Sequence, residues 1–306
     1  MNKNIKILLA VFAVLIAVYF LFFRSGEKVS TEKIDAKLFV ADSSKIDKIE
    51  IVKNSESITF EKQNNQWKIT KPISYNADTS AVYAMLKDLK NFMLESVASE
   101  NPAKFSGYLD SVNNAKVTTY QEGKLLGTFI LGKAQANDNT YIQKPDENRI
   151  LLASKLTAGN FTKQLKDYRD KSIISVSTFG LNKITFKSTD SNNVDFTAAK
   201  DSLNLWKVDG DSVSTSVMDG FLRMFENLKS EDFKDTTMTT FPTPTYTLTL
   251  SGPSQTTVIN LYKENSEPPA FITQVSGVNQ LFRFYAGMAG QIMKKKSDLI
   301  PPKPVK

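Results

Sequence analysis

The residues of this chain that could do chemistry are one aspartate-rich turn and a few acidic pairs. Asp209-Gly210-Asp211-Ser212 has the Asp-x-Asp spacing that opens an EF-hand calcium loop, but the later oxygen ligands and the closing glutamate are missing. A turn followed by a helix N-cap explains the same residues. Glu231-Asp232 could in principle form a glycosidase dyad, yet charged residues after a helix are usually solvated. We predict no metal site and assign neither group a catalytic role.

The chain contains no cysteine and no histidine. The usual zinc sites, cysteine nucleophiles, Ser-His-Asp triads and histidine bases are therefore excluded, and only carboxylate, lysine or tyrosine chemistry remains. A carboxylate-based hydrolase would need an acidic pair with a raised pKa in a deep cleft. We therefore predict a protein that is not an enzyme and has no cofactor.

Two segments are predicted to form helices, and both carry the same pattern of apolar residues. The first stripe is Val82, Met85, Leu86, Leu89 and Phe92; the second is Met218, Phe221, Leu222, Phe225 and Leu228. Each residue of the second stripe lies 136 positions after its counterpart. The i, i+3, i+4, i+7 spacing places each set on one helix face. An internal duplication follows from this match.

Segments of alternating apolar residues flank both helices, as expected of half-buried antiparallel strands. In the first copy they are Ile46 to Val52, Ser57 to Lys62, Trp67 to Ile69, Lys116 to Tyr120, Leu125 to Leu131, Tyr141-Ile142 and Ile150 to Leu152. In the second they are Lys183 to Lys187, Val194 to Ala198, Leu205 to Val208, Thr245 to Leu250, Thr256 to Leu261, Phe271-Ile272 and Leu281 to Phe284. Trp67 and Trp206 hold the same place in each copy, which favours a packing role.

An uncharged apolar run extends from Ile7 to Phe23, and as a helix it is long enough to cross most of a bilayer core. Bulky residues from Tyr19 to Phe23 leave no small-x-small cleavage site, so we predict an uncleaved signal anchor. Flanking charges are nearly balanced, and the short basic head favours a cytoplasmic N-terminus. The predicted location is the inner (cytoplasmic) membrane, single-pass, with an extracytoplasmic or periplasmic C-terminal domain.

The predicted fold class is α+β, with an N-terminal transmembrane helix followed by two tandem repeats of an antiparallel-sheet-plus-helix unit. The predicted boundaries are the anchor at residues 1–24, a linker at 25–39, the first repeat at 40–172, the second at 173–296 and a Pro/Lys-rich flexible tail at 297–306.

The net charge of +7 comes from the two ends of the chain. Lys3, Lys6 and Arg24 flank the apolar run, and five lysines from Lys294 onward face only Asp298, which leaves the body neutral. A nucleic-acid binder would carry its positive charge on the folded surface. We therefore predict no nucleic-acid partner.

Five residues are candidate partner contacts. Arg169 and Asp170 precede the second copy, where a local salt-bridged hinge is the competing explanation. Lys294, Lys295 and Lys296 end the last predicted helix, where cations complement the helix dipole; lipid head groups or an acidic partner are the alternatives.

The first copy resembles a family of uncharacterised extracytoplasmic proteins encoded beside ABC transporters of the gliding-motility type, over most of residues 40–172. The resemblance is carried by Trp67-Lys68-Ile69-Thr70-Lys71-Pro72, Leu86, Leu89, Phe105-Ser106-Gly107-Tyr108-Leu109, Gly132, Tyr141 to Leu152 and Tyr168-Arg169-Asp170-Lys171, together with the N-terminal run. It implies an anchored accessory component of an ABC-2-type exporter, with permease and ATPase subunits as separate chains. It implies no catalytic residues.

The expected function is thus a non-enzymatic, membrane-anchored accessory or scaffold component of an ABC-2-type, gliding-motility-like transporter complex. The alternative is an independent cell-envelope binding module that holds glycan or peptide at a sheet edge or groove.

Overall fold

The computed structural model describes residues 5, 11–18, 35–36, 38, 42–110, 114–190, 195–235, 238 and 240–300. Antiparallel sheet is the predominant regular structure in this part of the chain. It divides into two units, residues 1–170 and residues 171–306.

Unit 1 is a nine-stranded sheet with one α-helix. The strands are β1 Ile46–Lys53, β2 Glu56–Gln63, β3 Gln66–Lys71, β4 Tyr75–Asn76, β5 Met93–Ser99, β6 Ala115–Gln121, β7 Lys124–Gln135, β8 Asn139–Gln143 and β9 Ile150–Ser154, and helix α1 is Thr79–Asn91. Their order in the sheet is β4-β3-β2-β1-β6-β7-β8-β9-β5. Short 3-10 helices span Pro102–Gly107, Ala158–Asn160 and Leu165–Asp167.

Unit 2 repeats this arrangement. Its strands are β10 Ser172–Ile174, β11 Lys183–Ser188, β12 Phe196–Lys200, β13 Trp206–Val208, β14 Asp211–Ser212, β15 Leu228–Lys229, β16 Asp232–Lys234, β17 Tyr246–Ser251, β18 Thr256–Glu264, β19 Ala270–Val275 and β20 Leu281–Tyr285. Its α-helices are α2 Thr215–Glu226, α3 Ala286–Ile292 and α4 Lys296–Leu299, and a 3-10 helix spans Thr178–Gly180. The large sheet has the order β14-β13-β12-β11-β17-β18-β19-β20-β16, and β10 pairs with β15 alone.

The two large sheets therefore have the same topology, with β11 to β14 in the places of β1 to β4 and β16 to β20 in the places of β5 to β9. In unit 1 helix α1 connects the edge strands β4 and β5, and in unit 2 helix α2 follows edge strand β14 and leads through β15 to the opposite edge strand β16. Each long helix therefore connects the two edges of its sheet. All ten stripe residues of the two helical segments are buried. This burial confirms the apolar faces predicted from their spacing.

Trp67 and Trp206 are buried as well, which confirms the packing role predicted for them. Trp67 lies opposite Lys62 in the β2–β3 hairpin, and Trp206 lies opposite Lys200 in the β12–β13 hairpin. The Lys200 ammonium sits 5.3 Å from the centroid of the Trp206 ring. Each tryptophan thus packs at the equivalent hairpin position of its own unit.

The fold-class prediction is wrong in placing a transmembrane helix ahead of the repeats. Across the described ranges, no helix is long and apolar enough to cross a membrane. Of the apolar run from Ile7 to Phe23, residues 11–18 are described and helical, and the remainder lies outside the described residues. The prediction of a single-pass inner-membrane protein loses its support with the same finding.

Candidate functional site

Arg169 and Asp170, two of the predicted contact residues, lie against strand β4 of unit 1. Arg169 is only 2% exposed, and its guanidinium carbon lies 4.3 Å from the centroid of the Tyr75 ring. Its backbone forms a β-bridge with Ala77, and the N–H of Asp170 donates to the Asn76 carbonyl at 2.9 Å. A partner contact at these residues stays a prediction.

The three predicted lysines lie on unit 2. The Lys294 carbonyl accepts a hydrogen bond from the Tyr246 hydroxyl at 3.1 Å, and the Lys295 N–H donates to the Asp298 carboxylate at 2.8 Å. Lys296 places its ammonium 3.2 Å from Asp209 and 3.6 Å from Asp211. The backbone N–H of Thr197 and this lysine hold the pKa of Asp209 below its usual range. The cation beside the Asp-x-Asp turn is thus a lysine of the chain itself.

Glu231 and Asp232 lie at the start of edge strand β16. Glu231 accepts a hydrogen bond from the N–H of Tyr285 at 2.7 Å, and Asp232 lies 3.7 Å from the Arg283 guanidinium. Arg283 also donates to Glu264 from Nε at 2.7 Å and from Nη2 at 3.1 Å. These hydrogen bonds, with a second cation at Lys234, lower the pKa of Glu264 to about 2. The carboxylates here are partners in a cross-strand charge cluster.

A cleft of about 490 Å³, the lysine cleft, opens between α1 and the β2–β3 hairpin of unit 1. Its cationic lining is Lys62, Lys87 and Lys90, its apolar and aromatic lining is Trp67, Tyr83 and Leu86, and its neutral polar lining is Ser43, Ser44, Asn65 and Asn91. The sequence folds this way because the buried stripe of α1 turns Tyr83, Lys87 and Lys90 away from the core. Tyr83 is 62% exposed.

A second cleft of about 460 Å³, the aspartate cleft, shares Lys87 and Asn91 with the first and contains Asp88 and Asp138. Asp88 is buried, and burial raises its pKa. Its carboxylate accepts hydrogen bonds from the Thr157 N–H at 3.0 Å and from the Asn160 amide at 2.9 Å. Both donors belong to the segment that follows β9, so the carboxylate fixes this segment to α1.

The corresponding helix face of unit 2 has a different charge. At the 136-residue offset, Asp219 replaces Tyr83, Arg223 replaces Lys87 and Glu226 replaces Lys90. Glu226 accepts a hydrogen bond from the Thr178 hydroxyl at 2.7 Å. The two copies therefore keep the same core while only unit 1 presents an all-cationic cleft at this place.

Unit 2 instead exposes large apolar side chains at one end of its sheet. Phe179 is 91% exposed, Leu203 is 76% exposed and Leu205 is 53% exposed. Phe179 precedes β11, and the two leucines lie in the turn between β12 and β13. The Lys200 N–H donates to the Asn182 carbonyl at 2.9 Å, which brings the start of β11 and the end of β12 together. We call Phe179, Leu203 and Leu205 the apolar sheet end.

Asp201 builds the turn that carries the two leucines. Its carboxylate accepts hydrogen bonds from the N–H groups of Leu203 at 2.9 Å and Leu205 at 3.0 Å. These backbone hydrogen bonds, the one from Leu205 foremost, lower the pKa of Asp201, as does Lys207 at 3.4 Å. The exposed leucines are thus held on an ordered turn.

Comparison with known protein families identifies a match to the domain of unknown function DUF4340 over residues 67–249. The chain belongs to this family. No curated protein and no solved structure matches it. The DUF4340 match begins at Trp67 in β3 and ends at Thr249 in β17, so it covers parts of both units.

The predicted family resemblance is therefore supported at the level of an uncharacterised domain. The DUF4340 match by itself carries no link to ABC transporters or to gliding motility.

Sequence reasoning did not find the lysine cleft or the apolar sheet end. Aligning the two copies outside their matched stripes could have revealed these surfaces. In that alignment Lys90 corresponds to Glu226 and Tyr83 corresponds to Asp219, so the charge of the exposed helix face differs between the copies. The polar turn at Asn64-Asn65 likewise corresponds to the leucine-bearing turn of unit 2.

Proposed function

We propose that this protein is a non-enzymatic accessory or scaffold component of an ABC-2-type transporter complex, and that it binds the permease or ATPase subunit of that complex. The resemblance of residues 40–172 to proteins encoded beside gliding-motility-type transporters supports the choice of partner. The apolar sheet end supports binding to another protein, and it is the observation that carries the proposal.

The apolar sheet end exposes three large apolar side chains to water, and their burial in a partner would be favourable in free energy. Full burial of one such side chain is worth about 1.5–3 kcal/mol. Interface anchors are typically large side chains that fill pockets of the partner. Phe179, the most exposed of the three at 91%, is the central anchor of this proposal.

Copurification of the full-length chain from cells tests the proposal. We expect an ABC permease or its ATPase to copurify with the wild-type chain and to be lost when Phe179, Leu203 and Leu205 are all changed to serine. Leu125→Ser is the matched control, because Leu125 is a comparably exposed leucine, 63%, near a hairpin turn of unit 1. Transporter recovery that is unchanged in the triple variant would contradict the proposal, as would no transporter recovery from wild type.

Binding of a glycan or peptide by an independent module is the second candidate function. The lysine cleft favours it, because this cleft combines an exposed tyrosine with several hydrogen-bonding side chains. The two functions use different units, so variants of one surface leave the other intact.

A further inference from the structure

The lysine cleft gathers three cations without a carboxylate in its lining. Within the described part of the chain, Lys62, Lys87 and Lys90 form no ion pair. Two carboxylates lie outside the lining but within electrostatic reach of these lysines, Asp42 near Lys90 and Asp88 near Lys87. Asp42 already accepts hydrogen bonds from the Ser44 N–H at 3.1 Å and the Ser44 hydroxyl at 2.7 Å.

The fold does not require this concentration of positive charge. Unit 2 has the same strand order and the same buried stripe, and it keeps a cation at two of the three places, Lys200 opposite Trp206 and Arg223 at the position of Lys87. It carries Glu226 in place of the third cation, Lys90, and Asp219 in place of Tyr83, so its equivalent face is of mixed charge. Like charges that lie close together repel each other, so three lysines around one cleft cost stability in the absence of an anion. The cationic lining is therefore best explained by a ligand.

The remaining lining indicates the chemistry of that ligand. The exposed ring of Tyr83 offers a flat apolar surface, and Ser43, Ser44, Asn65 and Asn91 offer hydroxyl and amide groups. Sugar rings present an apolar face together with a rim of hydroxyl groups, and acidic sugars add the negative charge. The volume of about 490 Å³ lies within the range of small-ligand sites.

We propose that the lysine cleft binds an acidic saccharide, with Lys62, Lys87 and Lys90 contacting its carboxylate or phosphate groups and Tyr83 stacking on a sugar ring. This inference rests on the second candidate function and is independent of transporter association. A single-stranded nucleic acid fits less well, because such ligands follow a continuous positive groove. The positive charge of the lysine cleft is not continuous with that of its neighbour, because Asp88 and Asp138 line the adjoining aspartate cleft together with Lys87.

Tryptophan fluorescence gives a direct test, since Trp67 lines the cleft and the only other tryptophan is Trp206. In the full-length chain carrying Trp206→Phe, the signal comes from Trp67 alone. The probes are tetragalacturonic acid, the neutral sugar maltotetraose, inorganic phosphate and a thymidine tetranucleotide. We expect tetragalacturonic acid to bind about tenfold more tightly than each of the others, and its affinity to fall as salt rises from about 50 to about 300 mM.

The matched variants are Lys87→Ala with Lys90→Ala in unit 1 and Arg223→Ala with Glu226→Ala at the equivalent positions of unit 2. We expect the first pair to weaken tetragalacturonic acid binding about tenfold or more, because two cations that contact its carboxylates are removed, and the second pair to leave it unchanged. Lys62→Ala, on strand β2 rather than on the helix, is a second variant with the same expected direction.

Three results would overturn the inference. One is equal or absent binding of the acidic and neutral sugars, another is binding of phosphate or the tetranucleotide as tight as that of the acidic sugar, and the third is equal affinity in the unit 1 and unit 2 variants. Transporter copurification depends on other residues, so either proposal can fail alone.

Discussion

Gly132 and Gly252 show how single residues fix the connections of this fold. A Cβ atom on Gly132 would lie 2.6 Å from the Tyr108 carbonyl oxygen and 3.1 Å from that of Tyr141, and a Cβ on Gly252 would lie 2.6 Å from the Gly180 carbonyl oxygen. These neighbours are backbone atoms, which cannot rotate away. Glycine is required at both places by close approach of the chain.

We expect Gly132→Ala to lower the free energy of unfolding by about 1–3 kcal/mol, because the new methyl group must displace the backbone around Tyr108. Gly107→Ala is the control, since a Cβ there meets nothing within 4 Å, and its effect should stay within about 0.5 kcal/mol. Urea unfolding of both variants measures the difference. Equal destabilisation by the two substitutions would contradict the close-approach argument.

The Glu264 carboxylate makes the stability of unit 2 depend on acid pH. Its pKa of about 2 in the folded protein lies below the ordinary value of 4.5, mainly because of the Arg283 hydrogen bonds. A lowered pKa contributes stability that is present above 4.5 and is lost as pH falls through about 2.

Glu264→Gln should therefore destabilise the protein near neutral pH, and its difference from wild type should shrink as pH falls from 4.5 toward about 2. Thermal unfolding across this pH range measures the effect. A difference that does not vary with pH would show that the Glu264 charge is not the source of the stabilisation.

Helices α1 and α2 occupy equivalent places but start differently. The Asp78 carboxylate accepts a hydrogen bond from the Ala81 N–H at 2.9 Å. Ser214, at the N-cap of α2, caps no backbone N–H of its helix, and its hydroxyl lies instead 2.8 Å from the Ser216 hydroxyl. The Asp78 N–H also donates to the Tyr168 carbonyl at 2.7 Å. The start of α1 is thus tied both to its own first turn and to the segment near Arg169.

Asp78→Ala should cost about 1 kcal/mol of stability, because one free N–H of the first turn loses its acceptor. Ser214→Ala, the equivalent change in the second copy, should cost less. The two unfolding free energies are compared in the full-length chain. A larger loss from Ser214→Ala would contradict the capping difference.

The long helices and most inner strands of the two large sheets were predictable, whereas the edge strands β4, β5, β14 and β16 were not. Alternation placed β1, β6 and β17 close to their observed bounds, since each strand has one buried face. The pairing of β5 with β9, such as Met93 with Ser154, joins residues far apart in sequence. Local periodicity carries no information on such a long-range pairing.

At the scale of the whole molecule, the duplication explains what the sequence revealed and what it hid. The buried helix stripe keeps a constant offset of 136 positions between the copies, and this match made the duplication predictable. The surfaces proposed to bind partners are the places where the two copies differ in sequence. Glu226 of unit 2 stands at the position of Lys90 in unit 1, and the leucine-bearing turn of unit 2 stands at the position of the turn that contains Asn65.

The most direct test of the accessory function is photo-crosslinking from position 179 in cells. A benzoylphenylalanine side chain in place of Phe179 keeps an aromatic group at the most exposed point of the apolar sheet end, and the same substitution at Leu125 is the control. We predict an adduct with an ABC permease or its ATPase from position 179 and none from position 125. No transporter adduct from position 179, or equal adducts from both positions, would contradict the proposal.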